Sequence, residues 1–168
     1  MKITDLSSLE EAVSFYTRHA AEKLRRQHSY AGAITVFINT SRFNKPEENY
    51  SNAFRISLPI QTASTIALTK AALCGLRKIY RRGYQFQKAG VMLSELVDAQ
   101  TRQRDLFVPS SISNKTKVMS VIDAVNDRMG RGTIRLASEG ISKKWLMRSG
   151  HKSQNYTTDW NELICVTK

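Results

Sequence analysis

The sequence has few of the residues on which metal centres and disulfide frameworks are built. Its 168 residues include two cysteines, Cys74 and Cys165, which lie far apart and form no Cys-x-x-Cys pair. The three histidines are scattered along the chain. Because a zinc site needs several such ligands at short, defined spacings, we expect no metal, and the sequence indicates no cofactor.

Long apolar runs are also missing. No stretch approaches the length of about 20 residues that a membrane-spanning helix needs. The segment Met1-Lys2-Ile3-Thr4-Asp5 has no apolar signal core. The sequence therefore predicts a cytoplasmic protein without a membrane partner.

Short motifs of common catalytic sites are absent from the sequence. It contains neither a Gly-x-x-x-x-Gly-Lys-Ser/Thr phosphate loop nor a Gly-x-Ser-x-Gly nucleophile motif. Its acidic pairs, Glu10-Glu11 and Glu47-Glu48, are adjacent residues at a helix start and in a loop, and adjacent side chains on a helix do not face each other. We expect no catalytic residues and no enzyme activity of this chain on its own.

Positive charge is what the sequence has in excess. Lysine and arginine number 26 against 14 aspartate and glutamate, which gives a net charge of +12. The excess occurs in both halves of the chain, so a basic tail on a neutral domain does not explain it. Such a surface is typical of proteins that bind a polyanion, most often nucleic acid.

Two amphipathic helices are predicted from the spacing of apolar residues. Steps of three and four over residues 8–27 predict a first helix, capped by Ser7 or Ser8. The same spacing predicts a second helix over residues 63–82, followed by Gly83.

Alternating apolar and polar residues predict three strands. Two of them, over residues 33–39 and 53–58, are expected to form an antiparallel hairpin with a long loop. A third begins at Tyr84 and carries a bulge at Gly90. The order of helices and strands predicts an α+β fold with both helices on one face of an antiparallel-rich sheet.

The other face of this sheet is the predicted DNA-binding surface, because it is rich in small polar groups and arginine. Further cations lie at the ends of the two helices, where they either contact phosphates or only make the helix ends soluble. The candidate DNA-binding residues are Lys23, Arg25, Arg26, Thr35, Asn39, Arg55, Ser57, Arg77, Lys78, Arg81, Arg82, Gln85, Gln87 and Lys88.

The last third of the chain has weaker signals. Residues 98–116 are predicted to be a linker, followed by a short helix around residues 118–125 with Asn114 as its cap, and by a strand over residues 133–137. A segment this short has little core of its own. We expect it to dock on another surface or to become ordered on binding.

The predicted linker contains the pentapeptide Gln103-Arg104-Asp105-Leu106-Phe107. Its paired large apolar residues can fill a pocket on a partner, which contributes on the order of 2 kcal/mol each. They can equally fold back on the core of the chain itself.

The pentapeptide resembles the Gln-x-Ser/Asp-Leu-Phe peptide with which bacterial polymerases dock on the sliding clamp. Several segments, in collinear order, resemble the C-terminal portion of UmuC-type translesion DNA polymerases of the Y family. They are Ala20-Ala21-Glu22-Lys23-Leu24-Arg25, Ile34-Thr35-Val36-Phe37, Tyr84 to Leu93, Val118 to Asp123, Gly130-Arg131-Gly132, Trp145 to Arg148 and Tyr156 to Trp160.

This resemblance implies a little-finger domain over residues 1–97, a linker with the clamp-binding peptide over 98–116, and a UmuC-type C-terminal region over 117–168. The little finger is a βαββαβ unit that grips DNA, and its first strand is missing or truncated here, with Met1-Lys2-Ile3 as a stub. The family's catalytic carboxylates belong to a palm domain that this chain does not match.

The resemblance also implies partners and a role. The partners are duplex or primer-template DNA, the sliding clamp, a UmuD-type subunit and a recombinase filament, and the role is error-prone DNA repair in the SOS response. Two alternatives stay open. One is a stand-alone interaction protein that competes for the clamp or the UmuD-type partner. The other, an RNA-binding module, is weakened because Phe37 is the one aromatic residue predicted to face outward.

Overall fold

The computed structural model describes residues 2–41, 43, 45, 48–101, 111–141, 145–146, 153–154 and 156, with only the backbone of 111–117. The elements, in chain order, are helix α1 (Leu6–Arg26), strands β1 (Ser29–Thr40) and β2 (Ser51–Thr62), helix α2 (Thr65–Ile79), strand β3 (Phe86–Asp98), helix α3 (Ser111–Met129) and a 3-10 turn (Ala137–Glu139). The α+β class and the order of helices and strands up to β3 are confirmed. Among the described helices, none is long and apolar enough to cross a membrane.

Helix α1 begins two residues before its predicted start because a different residue caps it. The Asp5 carboxylate accepts a hydrogen bond from the Ser8 backbone N–H at 2.8 Å, so the predicted caps Ser7 and Ser8 are wrong. Hydrogen bonds from Ser8 lower the pKa of Asp5 below its ordinary value of 3.8. Apolar side chains of the helix, among them Leu9 and Val13, are buried in the core.

Helix α2 ends three residues earlier than the spacing predicts. Its apolar stripe from Leu68 to Ile79 is buried, but Tyr80 is already extended, with φ −66° and ψ 134°. The left-handed Gly83, with φ +92°, belongs to the loop that follows. The cations Arg81 and Arg82 therefore lie in a loop and not on the helix.

The three strands form an antiparallel sheet in the order β2-β1-β3. Helices α1 and α2 pack on one face, where the central strand contributes Ile34, Val36 and Ile38, all fully buried. Strand β2 runs on to Thr62, past its predicted end at residue 58, with an irregularity in its pairing to β1.

The predicted N-terminal stub pairs with the free edge of β3. The Ile3 N–H donates to the Phe86 carbonyl at 2.9 Å, and the Phe86 N–H donates to the Ile3 carbonyl at 2.8 Å. This single bridge gives the sheet a short fourth position beside β3.

The segment after the sheet is more helical than predicted. Helix α3 begins at Ser111, inside the predicted linker, and the strand predicted over 133–137 is wrong. That stretch forms turns, because Asn126 holds the backbone of Ile134 through two hydrogen bonds of 2.8 and 3.0 Å. Side-chain bonds of this kind replace the pairing that a strand would need.

The C-terminal region, the described part of 111–146, docks on the side of α1 that faces away from the sheet. The Arg18 Nε–H donates to the Glu139 carboxylate at 2.8 Å, and both side chains are buried. Trp145 is also buried, with its ring 5.3 Å from that of Phe15. Met119 of α3 is fully covered. Of the two outcomes predicted for this segment, the structure shows docking on the chain itself.

Candidate nucleic-acid interface

The face of the sheet opposite the helices, here called the outer face, consists of four cross-strand rows. Strand register places one residue each of β2, β1 and β3 side by side in every row. The rows are Ser57–Ala33–Ser94, Arg55–Thr35–Met92, Ala53–Phe37–Gly90 and Ser51–Asn39–Lys88. The structure thus brings together Thr35, Asn39, Arg55, Ser57 and Lys88 of the predicted site.

The row Ser51–Asn39–Lys88 offers hydrogen-bonding groups and one cation. Ser51 Oγ donates a hydrogen bond to Asn39 Oδ1 at 2.8 Å. This bond does not use the amide NH2 group of Asn39, which can donate to another acceptor. Lys88 is exposed, and no carboxylate in the described part of the chain pairs with it. Hydroxyl, amide and ammonium groups in one line are the groups that contact DNA phosphates.

The row Ala53–Phe37–Gly90 is apolar, and its glycine has a different role from the one predicted. A Cβ at Gly90 would lie 2.5 Å from Cζ of Phe37, so the aromatic ring occupies the place of a side chain. The predicted bulge at Gly90 is wrong, since the irregularity in the pairing of β1 with β3 falls between Asn39 and Thr40 of β1. The segment of β3 opposite this point contains the exposed residue Gln87.

The row Arg55–Thr35–Met92 carries an ion pair that the sequence did not reveal. Arg55 Nη2–H donates to Oε1 of Glu95, and because β1 separates β2 from β3, this contact crosses the central strand. We call it the Arg55–Glu95 bridge. One sequence signal was available: Glu95 is the only acidic residue between positions 49 and 97.

A second group of cations lies where α2 ends and β3 begins, and we call it the basic end. Lys78 Nζ stands 4.6 Å from the centre of the Phe54 ring, and Arg81 stands 5.2 Å from that of Tyr50. The basic end consists of the exposed residues Lys78, Arg81, Arg82 and Lys88, together with exposed Gln85 before β3. Within the described residues, carboxylates pair with none of these cations.

Two other predicted cations sit at the opposite end of the domain and bind the C-terminal region. Arg25 donates to both oxygens of Asp123 at 2.5 and 2.7 Å and to the Ala63 carbonyl at 2.8 Å. Arg26 pairs with Asp127 at 2.7 Å. Arg25 is thus already paired within the chain, and its predicted phosphate contact stays a prediction, whereas Lys23 beside it is exposed.

Arg77 is bound between the two helices and not on the outer face. Its Nε–H donates to Glu10 at 2.7 Å, and this hydrogen bond raises the pKa of the guanidinium. Arg77 is therefore already paired with a carboxylate of the chain and belongs to neither the outer face nor the basic end.

Two further predictions concern the chemistry of the chain. The clamp-like peptide, residues 103–107, lies outside the described residues. Among the described residues, no group of three or more histidine, cysteine, aspartate or glutamate side chains is placed so that it could hold a metal ion.

Two protein families match the chain. Residues 1–106 match the impB/mucB/samB family C-terminal domain. Residues 116–166 match a domain of unknown function, DUF4113. The first match contains the whole sheet with α1 and α2, and the second contains most of α3 and the segment after it.

Individual relatives agree with these matches. The chain is 36% identical over 166 residues to Protein UmuC of Salmonella typhimurium, covering 98% of this chain and 39% of that protein. It is 36% identical to Protein ImpB of the same organism, over 96% of this chain and 38% of the relative. Protein MucB of Escherichia coli is 32% identical over 99% of this chain and 39% of its own length. The chain thus spans about two fifths of these curated relatives, and the resemblance noted from the sequence is confirmed.

Proposed function

Because the chain belongs to the impB/mucB/samB family, we propose that it is the DNA-binding and clamp-docking part of an error-prone translesion DNA polymerase. The outer face and the basic end together hold duplex or primer-template DNA in this proposal. The observation that carries it is the row Ser51–Asn39–Lys88, which adjoins cations that no described carboxylate neutralises. A role on DNA in a bacterial cell corresponds to a cytoplasmic location.

The division between free and paired cations supports this choice of surface. Arg25, Arg26 and Arg77 are bound to carboxylates on the helix side of the domain. Among the described residues, no carboxylate neutralises the cations of the basic end, and such cations bind the sugar-phosphate backbone of DNA through charge, without reading its sequence. Sequence-independent binding is what a polymerase needs as it moves along DNA.

We propose that this part contributes no catalytic carboxylate of its own. A two-metal polymerase site needs carboxylates that converge on two metal ions about 4 Å apart. The acidic residues Glu10, Asp123 and Glu139 instead pair with arginines at separate places in the structure. Their charges stabilise the fold and the docking of the C-terminal region.

The salt dependence of DNA affinity tests the proposed DNA binding. If about five cations contact phosphates, the logarithm of the association constant for duplex DNA should fall with the logarithm of salt concentration at a slope of about −4 to −5. Fluorescence anisotropy of a labelled duplex measures it, with single-stranded RNA of the same length as the control. A slope near zero, or a preference for the RNA, would contradict the proposal.

Clamp docking is proposed from the sequence of residues 103–107 and has a separate test. Replacing Leu106 and Phe107 with alanine should abolish binding to the sliding clamp and leave DNA affinity unchanged. The matched control replaces Val118 and Val121, which are 52% and 62% exposed on α3, with alanine. Clamp binding that survives the first double substitution would rule the peptide out.

A UmuD-type subunit and a recombinase filament are proposed partners on the strength of family membership. A pull-down with purified UmuD-type protein tests the first directly. If that partner or the clamp binds while duplex DNA does not, the chain is instead an interaction protein that competes with full-length polymerases.

A further inference from the structure

A carboxylate lies on the surface that would bind phosphate. Arg55, the only cation of β2, donates a hydrogen bond across the central strand to Glu95 of β3. Both side chains are about half exposed, at 54% and 53%. The one guanidinium that the outer face offers is therefore already bound to an anion of the chain itself.

The backbone around this ion pair is adapted to it. Glu95 has a φ of +54°, a left-handed conformation that is rare for a residue with a side chain and costs free energy. Gly32 of the central strand leaves the space that the glutamate occupies, since a Cβ there would lie 2.8 Å from Oε2 and 2.9 Å from Cβ of Glu95. A surface ion pair formed by two long flexible side chains would need neither feature.

The carboxylate of Glu95 lies in a stretch of sequence that is otherwise positively charged. Every other charged residue between positions 49 and 97 is basic. Glu95 is placed against the arginine of the outer face and not against the more numerous cations of the basic end. An anion at this position repels any phosphate that approaches Thr35 or Arg55 and competes for the same guanidinium hydrogen atoms.

We propose that Glu95 competes with DNA for Arg55. The Glu95 carboxylate binds the Arg55 guanidinium until a DNA phosphate displaces the carboxylate. The competition lowers the affinity of the outer face for polyanions in general. The cost of breaking the ion pair is the same wherever the DNA lies, but a DNA backbone that also contacts the Lys88 row has further contacts that outweigh this cost. A duplex along the whole outer face therefore stays bound, whereas contact with the Arg55 end alone is too weak to persist. This inference rests on the proposed DNA binding.

The test compares Glu95→Gln with the matched control Glu10→Gln. Both substitutions remove one carboxylate from an exposed arginine pair, but Glu10 lies between the helices. One added phosphate contact steepens the salt slope by about 0.9, which corresponds to at most about eightfold between 1 M and 0.1 M salt. We expect Glu95→Gln to tighten duplex binding about threefold to eightfold at about 0.1 M salt, and Glu10→Gln to change it less than twofold.

A second set of variants tests whether the gain in duplex affinity depends on Arg55. Adding Arg55→Ala to Glu95→Gln should remove the gain in affinity and in slope. Glu95→Gly, which tolerates the left-handed backbone, should give the same gain as Glu95→Gln if the glutamine variant folds poorly. Equal effects of Glu95→Gln and Glu10→Gln, or a gain that persists without Arg55, would overturn the inference while leaving DNA binding intact. A wild-type chain without salt-dependent affinity for duplex DNA would overturn both.

Discussion

Docking of the C-terminal region on α1 depends on a buried ion pair, and replacing Arg18 tests this. The side chains of Arg18 and Glu139 are 8% and 0% exposed, and their contact is 2.8 Å. Among the described residues, Oε2 of Glu139 has no hydrogen-bond partner, so Arg18 is the main described compensation for its buried charge. Arg18→Met should therefore leave an uncompensated carboxylate, which typically costs about 3–5 kcal/mol.

This cost has an upper limit set by the docking itself. Once it exceeds the free energy that holds the C-terminal region on α1, the region separates and Glu139 becomes hydrated. We therefore expect Arg18→Met to expose Trp145, which packs against α1, while the sheet stays folded. The double variant Arg18→Met/Glu139→Leu should restore docking, because replacing a buried ion pair with apolar side chains of similar volume is often neutral or stabilising.

Trp145 reports the result directly. In a Trp160→Phe background it is the only tryptophan of the chain, and acrylamide quenching measures its exposure. Urea denaturation followed by circular dichroism gives the stability of the sheet in the same samples. Unchanged quenching in Arg18→Met, or a double variant as exposed as the single one, would refute the reasoning.

Two further predictions concern the helix cap and the outer face. Asp5→Ala should lower the free energy of unfolding by about 1 kcal/mol in urea titrations. Since the folded state lowers the pKa of Asp5, this contribution is present above the ordinary pKa and is lost as the pH falls through the folded one, whereas Asp5→Asn should keep the cap without that pH dependence. Gly90→Ala should destabilise by about 1 kcal/mol because its Cβ meets the ring of Phe37. In a Phe37→Ala background the same change should be neutral or stabilising, and equal effects in both backgrounds would show that the contact does not matter.

The sheet could be predicted because its signals are local. Alternation in β1 predicted which side chains are buried, and burial of Ile34, Val36 and Ile38 confirms it. The cap of α1 was harder to predict, since Asp5, Ser7 and Ser8 are all residue types that cap helices well and only the folded geometry decides between them. The strand predicted over 133–137 failed because Asn126 binds its backbone from eight residues away.

The candidate surface could be predicted only in part, because charge on a sequence does not reveal its partner. Arg25 looked like any other cation of the helix end, yet its partner Asp123 lies 98 positions along the chain. The crossing contact between Arg55 and Glu95 depends on the left-handed φ of Glu95 and on Gly32, and alternation within β3 predicts neither. Long-range pairing of this kind follows from tertiary packing.

The most direct test of the proposed DNA surface removes two cations of the basic end and compares them with a bound one. The measurement is the salt slope of duplex DNA affinity for Arg82→Ala/Lys88→Ala, with Arg77→Ala as the control that Glu10 already neutralises. We expect the double variant to reduce the magnitude of the slope by about 2, at about 0.9 for each phosphate contact, and the control to leave it unchanged. A control that lowers the slope as much as the double variant, or a double variant that binds as the wild type does, would contradict the proposed surface.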